Sequence, residues 1–150
     1  MQICDILNTS LIKVGLSSSN KYDVFDELLS LFVDNGLLDD KSSALDAVVT
    51  REEKMSTGVA PYVGIPHGKV PGVKDVLVAL GISREGIEYD SLDGLPVKVV
   101  FLVLSETGNP GPHLRVLSRI SNLIKSPSFV ESMVKAVDSS QVLSLISEQE

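Results

Sequence analysis

The stretch VKVVFLVL, residues 97–104, is apolar throughout except for Lys98. It is rich in β-branched and aromatic residues and shows neither the alternation of a half-exposed strand nor the length of a buried helix. It reads as a strand covered on both faces. A second run of the same kind lies within Val73–Ile82, where Val76, Leu77, Val78, Ala79 and Leu80 are consecutive, and a polar turn around Tyr89–Gly94 separates the two. Strands covered on both sides require helices as their cover, so the chain belongs to the α/β or α+β sandwiches.

Helices are available on either side of this pair. Tyr22–Val33 carries Val24, Phe25, Leu28, Leu29, Phe32 and Val33 at helical spacing and stops at Asn35-Gly36. A second helix is expected from about Ser42 to Lys54, behind Asp39 and Asp40, packing through Leu45, Val48 and Val49. His113–Lys125 places Leu114, Leu117, Ile120, Leu123 and Ile124 at helical spacing. Two further helices are expected near Ser128–Val137 and Ser139–Ser147, each begun by a serine able to cap it. Ser10–Leu16 reads as a short strand closed by the turn residues Ser17–Asn20. No repeat, linker or low-complexity tract interrupts the 150 residues, which are read as one domain, 1–150.

Composition narrows the function. Apolar residues make up 43% and charged residues 22%, the balance of a folded globular chain. The net charge of −7, with no Lys/Arg cluster, argues against nucleic acid or an anionic membrane as partner and favours a basic protein surface. The N-terminus lacks the charged start and apolar core of a signal peptide, and no apolar run reaches the ~18 residues of a membrane span. With the single cysteine Cys4 no internal disulfide can form, and the chain is read as cytoplasmic. Cys4, near the terminus among apolar residues, reads as a small buried hydrophobe rather than a nucleophile.

Three polar elements fall close together: Arg51-Glu52-Glu53, Ser56-Thr57-Gly58 and Pro66-His67-Gly68. A fourth, His113, stands at the expected start of a helix, where unpaired N–H groups and the dipole favour an anion. Pro66 fixes the backbone before His67 and Gly68 uncovers it, so the imidazole is aimed and accessible. Two histidines, an arginine and two hydroxyls suit a phosphoryl group. Each residue also has an ordinary explanation, as a turn histidine, a helix-start hydrogen bond, a dipole partner at a helix end or a loop cap. A metal centre would need carboxylates to complete two histidines and a remote cysteine, and neither H-x₃-H nor HExxH occurs, so no metal or other cofactor is expected; a Ser–His–Asp hydrolase is disfavoured by the lack of a G-x-S-x-G element.

The run REEKMSTGVAPYVGIPHGK, followed in order and spacing by GIEYDSLDGLPVKVVFLVLS and HLRVLSRISNLI, resembles the fructose/mannitol-type enzyme IIA domains of the phosphoenolpyruvate-dependent phosphotransferase system, a class that includes the nitrogen-regulatory enzyme IIA. The resemblance covers nearly the whole chain. It implies a mixed β-sheet flanked by helices on both faces. It also implies that His67 is the phosphorylated residue, attacking through Nε2, with Arg51 and His113 as its active-site companions; the hydroxyls of Ser56 or Thr57 are candidate further phosphoryl contacts, and Lys69 is adjacent. The implied donor is the histidine-containing phosphocarrier protein, and the implied recipient an enzyme IIB serving fructose- or mannitol-like sugar uptake, or a regulatory target in nitrogen or metabolic control. A degenerate binding module that takes up no phosphate is the alternative. The absence of a IIB or membrane segment from this stretch leans toward the regulatory version. The family's glycine-rich loop is replaced here by VAPYVG, with Ala60, Pro61 and Tyr62 expected to affect partner choice. Val59, Tyr62 and Val70 are expected to form an apolar patch around His67.

Overall fold

The computed structural model describes residues 2–58 and 60–150. Its centre is the antiparallel pair of β4 (Val76–Ile87) and β5 (Val97–Glu106), in which Val78 faces Val103 and Leu80 faces Phe101. β1 (Ile12–Val14) runs parallel to β4 on one side, and β2 (Val63–Gly64) and β3 (His67–Val70) run parallel to β5 on the other. From Val99 to Ser105 every residue is buried, which is why the sequence shows no alternation there. The sheet is therefore mixed, and the fold is an open α/β sandwich with helices on both faces.

β2 and β3 are one edge strand interrupted by Pro66. Val63 pairs with Val99, Gly64 with Val100 and His67 with Val103, so the register does not change across the break. Proline has no N–H to give the ladder, but its carbonyl still accepts from the Val103 N–H at 3.0 Å. The interruption costs one donor and leaves His67 as the first residue of the resumed strand.

Helix α1 (Lys21–Asp34) packs on α2 (Lys41–Lys54), α3 (Pro110–Leu123) lies on β5, and α4 (Pro127–Lys135) packs on α5 (Ser139–Gln149) and on the central strands. Asn20, Asp40, Ser126 and Asp138 accept the backbone N–H groups of Asp23, Ser43, Phe129 and Gln141, each such cap stabilising its helix by about 1 kcal/mol. The caps of α4 and α5 are thus Ser126 and Asp138, not the serines Ser128 and Ser139 at the expected helix starts. α1 ends at Asn35, and Gly36 follows in the left-handed region.

Four further expectations are corrected. The strand expected over Ser10–Leu16 is shorter, because Thr9–Leu11 forms a 3-10 turn and Gly15, at φ +87°, leaves the extended conformation. Tyr89, placed in a polar turn, is 1% exposed and among the largest core side chains. Helix α3 begins at Pro110 rather than His113, since proline at the first helical position loses no hydrogen bond. Its inner face is His113, Val116, Ile120 and Leu123, and Leu114, expected inside, is 62% exposed.

Candidate functional site

His67 is brought against α2 by the residue that follows it. A Cβ built on Gly68 would lie 3.1 Å from the Val48 nitrogen and 3.2 Å from the Ala47 carbonyl carbon. A strand without a side chain there approaches the helix this closely without crowding its backbone. Gly68 is buried, so its smallness serves the contact with α2 and does not clear a path for a partner. The result is an open pocket of about 710 Å³ lined by Ala47, Arg51, His67, Lys69, His113 and Leu114, among others.

Within it the two imidazoles are neighbours, with ring centroids 5.3 Å apart and planes inclined by 60°. The His67 Nδ1–H donates to the Ile65 carbonyl at 2.8 Å, because a carbonyl can only accept. The proton is thereby fixed on Nδ1, and Nε2 keeps its lone pair. Burial pushes the His67 pKa below the usual histidine value; the Ile65 hydrogen bond and Glu52 oppose this, while the Arg51 and Lys69 charges add to it. His113 is buried, with Nδ1 2.6 Å from the Ser105 hydroxyl, and its pKa is lowered to about 4 by burial first and by the His67 and Lys69 charges second. Both rings are neutral at pH 7.

Arg51 reaches the pocket from the last turn of α2, where its Nη1 donates to the Met55 carbonyl at 2.9 Å. That bond anchors the guanidinium while using one of its five donors. Its neighbour Glu52 turns inward and is 3% exposed. Glu52 Oε1 accepts from the Thr57 hydroxyl at 2.6 Å, and Oε2 accepts from the Thr57 N–H at 2.9 Å and from Lys21 Nζ at 3.2 Å. With the Thr57 proton committed to Glu52, the Tyr89 hydroxyl donates to Thr57 Oγ1 at 2.8 Å. Lys21 in turn sits 4.9 Å over the Tyr89 ring, so its ammonium meets both the Glu52 carboxylate and an aromatic face.

The sequence-predicted residues therefore divide. His67, His113 and Arg51, together with Lys69, line one pocket. Thr57 is buried and its hydroxyl is spent on Glu52 and Tyr89, while Ser56 Oγ accepts from the Gly58 N–H at 3.1 Å; neither lines the His67 pocket. Of the expected apolar patch, Val70 is 4% exposed and inside the core, and Val59 lies outside the described residues. Tyr62 lines a different groove with Ala60, Pro61 and Lys98. The apolar rim of the His67 pocket is instead supplied by Ala47, Leu114 and Leu117.

Sequence reading named Glu52 only within the polar element Arg51-Glu52-Glu53, without a role, and passed over Tyr89 and Ser105. Two of the three had a signal: Glu52 continues the stripe of buried Ala44 and Val48 at intervals of one turn, and Ser105 extends the apolar run of β5. A polar residue on an otherwise apolar stripe is buried with a partner. Cys4 is half-buried rather than buried as expected, and its thiol pKa is raised, by burial first and by Glu150 second, which disfavours the nucleophilic thiolate. Among the described residues there is no group of three or more metal-ligating side chains and no helix long and apolar enough to cross a membrane.

Residues 5–149 match the family described as "Phosphoenolpyruvate-dependent sugar phosphotransferase system, EIIA 2". The chain is 34% identical over 146 residues to the fructose-specific EIIA component of Haloferax volcanii, covering 97% of this chain and 95% of that protein. It is 31% identical over 150 residues to the fructose-specific EIIABC component of Bacillus subtilis, of which it spans only 24% while being itself covered in full. The crystal structure of nitrogen regulatory protein IIA-Ntr from Neisseria meningitidis superposes with a TM-score of 0.88 at 29% identity, over 96% of this chain and 98% of that one. With a match running almost end to end, the chain belongs to the EIIA 2 family of the phosphoenolpyruvate-dependent sugar phosphotransferase system.

Proposed function

We propose that the protein is a phosphocarrier, a phosphotransferase that accepts a phosphoryl group on His67 Nε2 from a phosphohistidine of the histidine-containing phosphocarrier protein. The observation that carries this reading is the hydrogen bond from His67 Nδ1–H to the Ile65 carbonyl, which leaves Nε2 unprotonated in a ring that is neutral at pH 7. The Nε2 lone pair forms the new N–P bond as the donor's N–P bond breaks and its electron pair remains on the donor imidazole. No proton has to leave His67, because the Nδ1–H stays on the Ile65 carbonyl and balances the charge of the bound phosphoryl.

Phosphoryl transfer passes through a loose transition state, so the site's task is positioning and charge stabilisation. The unused N–H groups of Arg51 clamp phosphoryl oxygens, and His113 donates to them from the neighbouring ring. Such charge-assisted contacts are worth roughly 1.5–3 kcal/mol, so removing one slows transfer about ten- to a hundredfold. Thr57 and Ser56 take no direct part, since their hydroxyls are engaged elsewhere.

The phosphoryl group then goes to an enzyme IIB. The Bacillus relative, an EIIABC component whose length this chain matches only in part, supports that recipient. The likeness to a nitrogen regulatory protein supports the second reading, in which phosphorylation alters affinity for a regulatory target. The test is intact-mass analysis after incubation with phosphoenolpyruvate, enzyme I and the phosphocarrier protein, beside a His67→Ala variant. An acid-labile gain of one phosphoryl in the wild type only is expected; no gain with a range of donors overturns the reading in favour of a non-phosphorylated module. Loss of the label to an added enzyme IIB separates transport from regulation.

A further inference from the structure

The two pocket histidines meet oxygen atoms of opposite character. His67 Nδ1 faces a carbonyl, which can only accept. His113 Nδ1 faces the hydroxyl of Ser105, which can do either. Ser105 is 0% exposed on β5, and among the described residues its hydroxyl has no other hydrogen-bond partner. A buried hydroxyl with a single neutral imidazole nitrogen in reach makes its best use of that contact by donating, because a proton pointed anywhere else would be unsatisfied in the core. Nδ1 of His113 is then the acceptor, and the ring's proton resides on Nε2.

We propose that Ser105 is a positioning residue that holds His113 in the Nε2–H tautomer, opposite to that of His67, so that one imidazole is fixed as nucleophile and its neighbour as hydrogen-bond donor. The arrangement makes the site asymmetric. His67 presents a lone pair and no proton at Nε2, and His113 presents a proton and no lone pair there. Of two histidines in one pocket, only His67 can then take up the phosphoryl group, and His113 Nε2–H is left to meet the phosphoryl oxygens. The 2.6 Å contact between buried groups also fixes the plane of the His113 ring, which rotation about its side chain would otherwise turn away from His67.

The placement follows from topology. Ser105 is two residues beyond Val103, the β5 partner of His67, and faces the first turn of α3, where Pro110 starts the helix early enough to bring His113 onto its inner face. Had the helix begun at His113, the imidazole would not stand one turn inside it. The same strand that sets the register of His67 therefore supplies the hydroxyl that sets the proton of His113.

The kinetic half of this inference rests on the phosphocarrier reading; the tautomeric half does not, and the experiment separates them. Long-range ¹H–¹⁵N correlation spectra of the unphosphorylated protein at pH 7 are expected to show an unprotonated Nδ1 and a protonated Nε2 for His113, with the reverse for His67. A protonated Nδ1 on His113 overturns the proposal whether or not the protein accepts phosphate. In phosphoryl uptake followed by intact mass, Ser105→Ala is expected to be about tenfold slower than wild type, the loss of one oriented hydrogen bond, and Ser105→Thr, which keeps the hydroxyl, is expected to restore both the rate and the His113 spectrum. Wild-type rates in a folded Ser105→Ala protein, or failure of a folded Ser105→Thr protein to recover, overturn the positioning role. Absence of uptake by the wild type overturns the phosphocarrier reading and leaves the spectra to decide the tautomers.

Discussion

Gly68 lies so close to Ala47 that a side chain there would crowd the helix: a Cβ on Gly68 would stand 3.2 Å from the Cβ of Ala47 and equally close to its carbonyl carbon. This contact seats the edge strand against α2 and so brings His67, at the start of that strand, alongside Arg51, near the end of that helix. Two opposing effects decide what Gly68→Ala does. Reducing the freedom of the unfolded chain stabilises by about 0.4–1 kcal/mol, whereas forcing a methyl into packed helix backbone costs typically 1–3 kcal/mol. The crowding wins, and a net loss of about 1–2 kcal/mol is expected as a lower urea midpoint, together with slower phosphoryl uptake as the strand and helix part.

Thr57 separates a structural from a chemical role. Thr57→Val keeps the shape but removes the hydroxyl that donates to Glu52 and accepts from Tyr89. A stability loss of about 1–3 kcal/mol is expected, with phosphoryl uptake by the folded fraction within about twofold of wild type. Uptake reduced tenfold or more at full folding would return Thr57 to the reacting groups.

Removing the buried carboxylate has a larger effect. In Glu52→Ala, Lys21 keeps its charge inside the protein without a partner, and breaking such a pair costs roughly 3–5 kcal/mol. Glu52→Gln retains an acceptor for the Thr57 hydroxyl and is expected to lose less. Chemical denaturation of the two variants checks the order.

The histidines make the fold acid-sensitive. His113 has its folded pKa lowered to about 4 from an ordinary value near 6.5, so the unfolded chain binds the proton more readily. Stability is full above about pH 6.5 and is lost as pH falls toward 4, by about 3 kcal/mol from this group. His67, whose pKa is also lowered, contributes in the same direction. The stability difference between wild type and His113→Asn, measured by denaturation from pH 7 to pH 4, is expected to shrink across that interval. A constant difference would show that His113 does not titrate there.

Leu114 offers a test on the protein surface. It is 62% exposed at the rim of the pocket, so Leu114→Asp is expected to leave stability within about 0.5 kcal/mol. Association with the donor is expected to slow, because a charge replaces the apolar rim beside His67. Uptake measured at several donor concentrations checks that the effect lies in encounter and disappears at saturation.

The unbroken apolar run of β5 determined that a doubly covered strand lies at the centre, and helical spacing with polar caps determined α1 and α2 to within a residue or two. These are local properties: burial on both faces, periodicity and capping act over a few residues and leave their mark on neighbouring positions in the chain. The residues R-E…I-P-H-G…H-L likewise marked the pocket in which Arg51, His67 and His113 meet. Sequence alone did not sort that group. Arg51 and Glu52 are adjacent in the chain but lie about 100° apart around α2, so one reaches the pocket and the other the core. Thr57 was taken inward by the carboxylate of Glu52, five residues back at the end of α2, and by Tyr89, 32 residues on. The turn of α3 that buries His113 and exposes Leu114 depended on where the helix began and on which stripe the sheet accepted, two neighbouring apolar stripes being equally helical in spacing. Tertiary structure decided these points because which stripe of a helix is buried, and which distant groups such as Tyr89 and Ser105 meet Thr57 and His113, is set only when the sheet and helices pack together.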